Sequence, residues 1–472
     1  MVLQRNRPIH LWGWADPGES ITATLHSSKQ TTKTDDLGKW SLWLPPEQAG
    51  GPYQVTVTGT NTITLDDVMI GDVWFASGQS NMEMPLAGFP GNAVLENSAE
   101  EIAHASQPQL RLLHIHEKAA AYRQDNIDAT WTDCTPQTAA DFSAVAYFFG
   151  RDIAAKEHVT VGLIDSTWGG TPAEAWVSLG GLSADASLMP AFATWATMSD
   201  EQPDTARSIA KEKREDEQAR AAGQAPPTHS WHPDPALWAP GALYNGMVAP
   251  AVNYPIEGVI WYQGETNSAH DRSALYERLF PALIHDWREQ WQEGNFPFLY
   301  VQISSYTSTP PEDWPVVREA QRRTLGLVNT GMAVTIDIGN PDNVHPSDKQ
   351  DVGARLALAA RALAYGEKLR YSGPLFREAA PDGSSMRVWF DDANGLTAKG
   401  GPPKGFEVAG ADRKFIAASA HIDGETVVAS SPQVPSPEYV RYGWQNAPVV
   451  NLFNEAGLPA SPFTSEKLIP QP

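Results

Sequence analysis

A chain of 472 residues with 42% hydrophobic content, 17 tryptophans and 19% charged residues has the make-up of a packed globular protein of about two or three domains, not of a disordered scaffold. Its formal net charge of −22 repels phosphate backbones and anionic lipid surfaces, which excludes nucleic acid and membrane as expected partners and leaves a neutral polymer tolerated. The single cysteine, Cys134, allows no intrachain disulfide and no thiol cluster for a metal.

Residues 1–69 carry short runs rich in Thr, Val, Ile and Trp, at 9–14, 20–25, 40–44 and 53–58. Turn formers separate them, as in Asp16-Pro17-Gly18 and Gly50-Gly51-Pro52, and this spacing predicts an antiparallel β-sandwich. The N-terminus shows no apolar signal-peptide core, and no stretch approaches the ~20 apolar residues of a membrane span, so a soluble chain is expected.

From about residue 70 to 368 the pattern becomes strand, loop, helix. Apolar runs at 73–76, 159–164, 256–262, 298–303 and 333–338 predict buried strands. Helical spacing follows between them: Val145, Phe149 and Ile153 in one segment, and Leu275, Leu279, Leu283, Trp287 and Trp291 in another. A last helix is predicted over 348–365. The pattern implies an α/β fold with a parallel sheet and helices on both faces. An excursion at about 195–240 interrupts it with a charged helical stretch and a loop rich in Pro, Trp and His. Residues 369–472 return to turn-rich β patterning, as a C-terminal β-rich domain.

In an open parallel sheet, ligands gather at the carboxyl ends of the strands. Four strand-end loops carry reactive groups. Gly78-Gln79-Ser80-Asn81-Met82 places Ser80 where a helix begins, with its own N–H able to face an oxyanion. A helix cap is the ordinary alternative for such a serine. Trp168-Gly169-Gly170 offers bare backbone N–H groups, Glu265-Thr266-Asn267 an amide donor, and Asp342-Asn343-Val344-His345 a base with a carboxylate three residues earlier. Gln79 and Glu265 are candidate substrate contacts. So are Trp231 and Trp238, whose ring faces suit the C–H surface of a pyranose, although core packing is the competing role. The histidines lack a matching set of carboxylates or thiols, so no metal and no cofactor is expected.

Together the Ser, Gly, Asn and His blocks resemble the SGNH hydrolase superfamily, which implies a flavodoxin-like sheet. Gly-Gln-Ser-Asn-Met, Thr-Trp-Gly-Gly-Thr-Pro-Ala-Glu-Ala-Trp and Trp-Tyr-Gln-Gly-Glu-Thr-Asn look like the sialate O-acetylesterase family. The resemblance implies a serine esterase that removes acetyl groups from a carbohydrate, sialic acid or a plant polysaccharide, without a cofactor. It implies Ser80 as nucleophile, His345 as base, and Ser80, Gly169 or Gly170, and Asn267 as the oxyanion hole. Asp342 is the expected acid, with Asp337 and Glu265 as alternatives. Secretion or a periplasmic location is implied by the family alone. A thioesterase or lipase-like enzyme and a noncatalytic carbohydrate-binding protein are the competing readings.

Overall fold

The computed structural model describes residues 1–467 apart from 90, 92–93, 202–204, 228, 230–231 and 310–311. Its centre is a sheet ordered 330–334, 298–302, 258–262, 62–78, 161–167, 107–114 and 132–134. All neighbours are parallel except the antiparallel edge strand Thr132–Cys134. Taken without the two strands beyond 161–167, the chain order across the sheet is 2-1-3-4-5, the flavodoxin-like arrangement. Four of its strands are buried at every position, which is why they read as unbroken apolar runs.

Helices cover both faces, and two consecutive residues show it. Trp74 and Phe75 must point to opposite sides of their strand. Trp74 meets Phe149 of the helix Ala144–Glu157 edge-on at 4.9 Å, while Phe75 meets Trp287 of the helix Tyr276–Trp291 at 5.6 Å. The helix Gln350–Leu363 lies beside Ala144–Glu157, so close that a Cβ on Gly353 would sit 2.6 Å from the Phe148 Cβ.

The central strand Thr62–Gly78 is far longer than the predicted run at 73–76. Its first half pairs with Gly50–Thr58 in the N-terminal sheet, and its last residues, from Asp72, pair with the central parallel strands on either side. The expected boundary between residues 69 and 70 therefore falls inside one continuous strand, with no linker. Buried Asp72 marks the crossing: Arg5 grips it through Nε and Nη2 at 2.7 and 2.9 Å, and Tyr365 donates to it at 3.0 Å. The N-terminal unit packs its sheet against the two-stranded ribbon Ile9–Trp14 and Lys39–Leu44 over a core that includes Leu25, Leu44 and Val55.

The C-terminal region forms two four-stranded antiparallel sheets around its own core of Val388, Val408, Val440 and Phe463. It holds the helix Trp314–Thr324 through Arg318, whose Nη2 donates to the carbonyls of Gln445 and Asn446. The predicted strand at 333–338 is Thr330–Val334; Thr335 donates its hydroxyl to the Gln302 carbonyl, and the chain then turns. Asp337 thus sits in that turn. Among the described residues no helix is long and apolar enough to cross a membrane.

Candidate active site

The strand Thr62–Gly78 ends in a turn that only glycine fits. Gly78 has φ +139°, and a Cβ there would lie 2.1 Å from the Tyr262 carbonyl oxygen of the neighbouring strand. The turn leads into the short helix Ser80–Glu83, with the N–H of Gln79 tied to the Tyr262 carbonyl. Ser80 is thereby fixed beside the strand at which the order across the sheet reverses.

His345 reaches it from the loop after the last parallel strand. Its Nε2 lies 2.9 Å from Ser80 Oγ. Burial, with the nearby Lys349 ammonium, holds the imidazole down to about 4, so at neutral pH the ring carries no charge and one nitrogen accepts. The ring of Phe89 packs edge-on against it at 5.2 Å. The two residues share a cavity of about 680 Å³ with Gln79, Glu83, Gly169, Gly170, Glu265, Thr266, Tyr306, Glu312 and Trp314.

Asn81, the residue after Ser80, ties these loops together. Its Nδ2 donates to Glu265 Oε1 at 2.6 Å and to the Val344 carbonyl at 3.0 Å, and its Oδ1 accepts from Lys349 Nζ at 2.6 Å. Both charged partners are buried, and burial pushes the Glu265 carboxyl up and the Lys349 ammonium down to about 7. Val344 precedes His345, so one amide sets the spacing between Ser80 and the histidine loop.

Glu83 is the second group absent from the sequence expectations. It lies one helical turn from Ser80 and lines the same cavity. Burial, then the charges of Glu117 and Asp165, raise its carboxyl to about 7, while the nearby Gly169 backbone N–H acts in the opposite direction. Gly169 is confined there: a Cβ would lie 2.7 Å from Glu83 Oε2 and 3.2 Å from Ser80 Cβ.

Several expected roles change. The bond between Asp342 and His345 is not formed: Asp342 is exposed, its N–H turning back to Asn340 Oδ1, and His345 Nδ1 is buried with no hydrogen-bond partner among the described residues. Asp337 is engaged by Arg355 in a two-pronged pair at 2.7 and 2.8 Å. Asn267 lies outside the cavity lining; its Oδ1 accepts from Ala173 N–H and Gln263 Nε2, and its Nδ2 donates to Glu174, so its amide braces the glycine loop. Trp238 is also a brace: it is buried, its indole N–H donates to the Gly170 carbonyl at 2.8 Å, and the Arg272 guanidinium covers its ring at 4.7 Å. Gln79 and Glu265 do line the cavity. Gln79 Oε1 accepts from Thr266 N–H at 3.1 Å. Trp231 lies outside the described residues. Tyr306, Glu312 and Trp314 come from the loop and helix after Phe298–Gln302, a fifth strand end that the same rule points to.

A family model described as carbohydrate esterase, sialic acid-specific acetylesterase, matches residues 220–362. The human sialate O-acetylesterase is 33% identical over 79% of this chain and 71% of its own length, and the rat protein of that name is 30% identical over 98% and 92%. The crystal structure of a carbohydrate acetylesterase from Xanthomonas citri superposes with TM-score 0.83 at 37% identity, covering 99% of this chain and 97% of that one. Fold and relatives together define an α/β esterase of the SGNH type, an acetylesterase that hydrolyses O-acetyl esters on carbohydrates. More narrowly, the chain belongs to the sialate O-acetylesterase family.

Proposed function

We propose that Ser80 and His345 carry the hydrolysis and that the preferred substrate is an acetylated neutral glycan. The observation that carries the first part is the 2.9 Å contact between His345 Nε2 and Ser80 Oγ at the mouth of the sheet. Neutral His345 takes the Ser80 proton as Oγ attacks the acetyl carbonyl. The resulting oxyanion is held by the Ser80 N–H and the glycine-loop backbone at 169–170. His345 then passes its proton to the departing sugar oxygen. Water, deprotonated by the same histidine, attacks the acetyl-serine and releases acetate. Asp342 is the acid we assign to the free Nδ1, since catalytic hydrogen bonds often tighten only with substrate bound.

The substrate preference rests on charge. The cavity lining includes Glu83, Glu265 and Glu312 and, among the described residues, no Lys or Arg. Arg272, in an adjoining cavity, is paired with Asp271 at 3.1 Å. The lining thus offers a neutral sugar ring acceptors for its hydroxyls, and among the described residues it holds no Lys or Arg to pair with the carboxylate of a sialic acid.

Acetate release from acetylated xylan, acetylated xyloglucan and O-acetylated sialic acid tests both parts. Ser80→Ala is expected to lower kcat by about 10³-fold or more. Near wild-type turnover in that variant refutes the nucleophile, and a higher kcat/KM for the sialate than for the neutral glycans refutes the substrate preference.

A further inference from the structure

The ribbon Ile9–Trp14 with Lys39–Leu44 has two faces that its sequence treats differently. Ile9, Leu42 and Leu44 are buried in the N-terminal core. Alternation and register put His10, Trp12, Trp14, Ser41 and Trp43 together on the other face. There Trp14 is 50% exposed and Trp43 51%, two of the largest apolar side chains left in water. His10 lies directly across from Trp43 and is already committed: its Nδ1 is 2.9 Å from the Asn253 carbonyl, its Nε2 2.7 Å from Ser41 Oγ, and its ring is stacked on Trp43 at 4.0 Å. It fastens the ribbon to the catalytic unit and holds the Trp43 ring in a fixed plane.

Two cavities open on either side of His10, of about 500 and 530 Å³, in the range of small-ligand sites. Trp12 and Trp14 wall the first and Trp43 the second. Neither shares a residue with the cavity at Ser80. Of their charged groups, Lys39 pairs with Asp125 at 2.7 Å and Arg7 with Glu293 at 2.8 Å, Arg123 donates to Gln290 at 2.9 Å, and Lys33 and Asp35 also line the first cavity. Charges of both signs lie side by side here, within a chain whose net charge of −22 repels polyanions, and they frame flat aromatic faces with hydrogen-bonding groups. That combination matches a pyranose, whose C–H faces are apolar and whose rim is hydroxyl.

We infer that this aromatic face of the N-terminal ribbon is a second saccharide site, which grips an unmodified stretch of a neutral polysaccharide while Ser80 works elsewhere on the chain. The inference rests on the carbohydrate activity but not on the assignment of Ser80.

Affinity electrophoresis of the full chain through gels containing deacetylated xyloglucan, deacetylated xylan or polygalacturonate tests it. Wild type and Ser80→Ala are expected to be retarded alike by at least one neutral polymer and not by polygalacturonate. The Trp14→Ala/Trp43→Ala variant is expected to lose about tenfold or more in affinity. Its turnover of p-nitrophenyl acetate and its melting temperature should stay at wild-type values. If it melts early, the single alanine variants decide, each expected to bind several-fold more weakly. Undiminished retardation in the tryptophan variants, or no retardation of wild type by either neutral polymer, overturns the site. So does conversion of a dimer to a monomer by the double substitution, which would make the face a contact between two copies of this chain.

Discussion

His345 Nδ1 is a buried ring nitrogen with no hydrogen-bond partner among the described residues. Such a group costs about 1–3 kcal/mol, and a carboxylate is the natural way to recover it. Asp342→Asn is accordingly expected to lower kcat by about 10²-fold or more while leaving the melting temperature unchanged, whereas Asp337→Asn should destabilise the fold by stripping Arg355 of its pair. A kcat for Asp342→Asn within threefold of wild type would leave Ser80 and His345 working as a pair. Protonation gives a second test. His345 must be neutral to act, so activity is expected to fall as pH drops towards its pKa of about 4. Glu83 titrates the other way: near a pKa of about 7 it becomes a carboxylate, which stands beside the Gly169 N–H and repels a nearby oxyanion. Rate should therefore decline as pH rises through 7, and Glu83→Gln should remove that decline; an unchanged alkaline limb in the pH–rate profile of Glu83→Gln argues against it.

Individual loops show what the sequence made legible. Ser80 and His345 could be put forward because each follows a buried apolar run and because the motifs around them together resemble a known family; the structure brings the two within 2.9 Å. Asn267 and Trp238 could not be placed so simply, because the direction of a side chain in a loop is set by partners such as Glu174 and Arg272 that only the tertiary structure brings near. Asn81 stands in the same motif as Ser80, but its bonds reach residues 265, 344 and 349, which no local pattern connects. Asn81→Ala is expected to lower kcat by about tenfold or more, through loosening of the His345 loop, with little change in KM; a loss confined to KM would place Asn81 against substrate instead. The Gly78 turn is the element most sensitive to a single carbon. Gly78→Ala is expected to cost about 2 kcal/mol or more, read as a clear drop in melting temperature.

Across the whole molecule, three cores are joined without slack. The C-terminal sheets hold the helix that brings Trp314 to the cavity, through Arg318 buried against the carbonyls of Gln445 and Asn446. The N-terminal sheet continues into the catalytic one along Thr62–Gly78. Deleting residues 1–61 is therefore expected to leave no cooperative thermal transition, because it removes Arg5 from buried Asp72 and strips the outer half of that strand of its neighbours. A truncated chain that melts cooperatively near the wild-type temperature would show that the catalytic unit stands alone.

The shared strand also sets an order of assembly. During synthesis the N-terminal sheet is complete soon after residue 70 emerges, while the partners of the inner half, at 161–167 and 258–262, come much later. The finished sheet becomes a primer: it presents one strand, already extended, onto which the later ones zip. Ser80 is thus laid in place by a part of the chain that lies outside its cavity, and substitutions in the buried core of the first 60 residues should register as slow or incomplete maturation before they register as lost turnover.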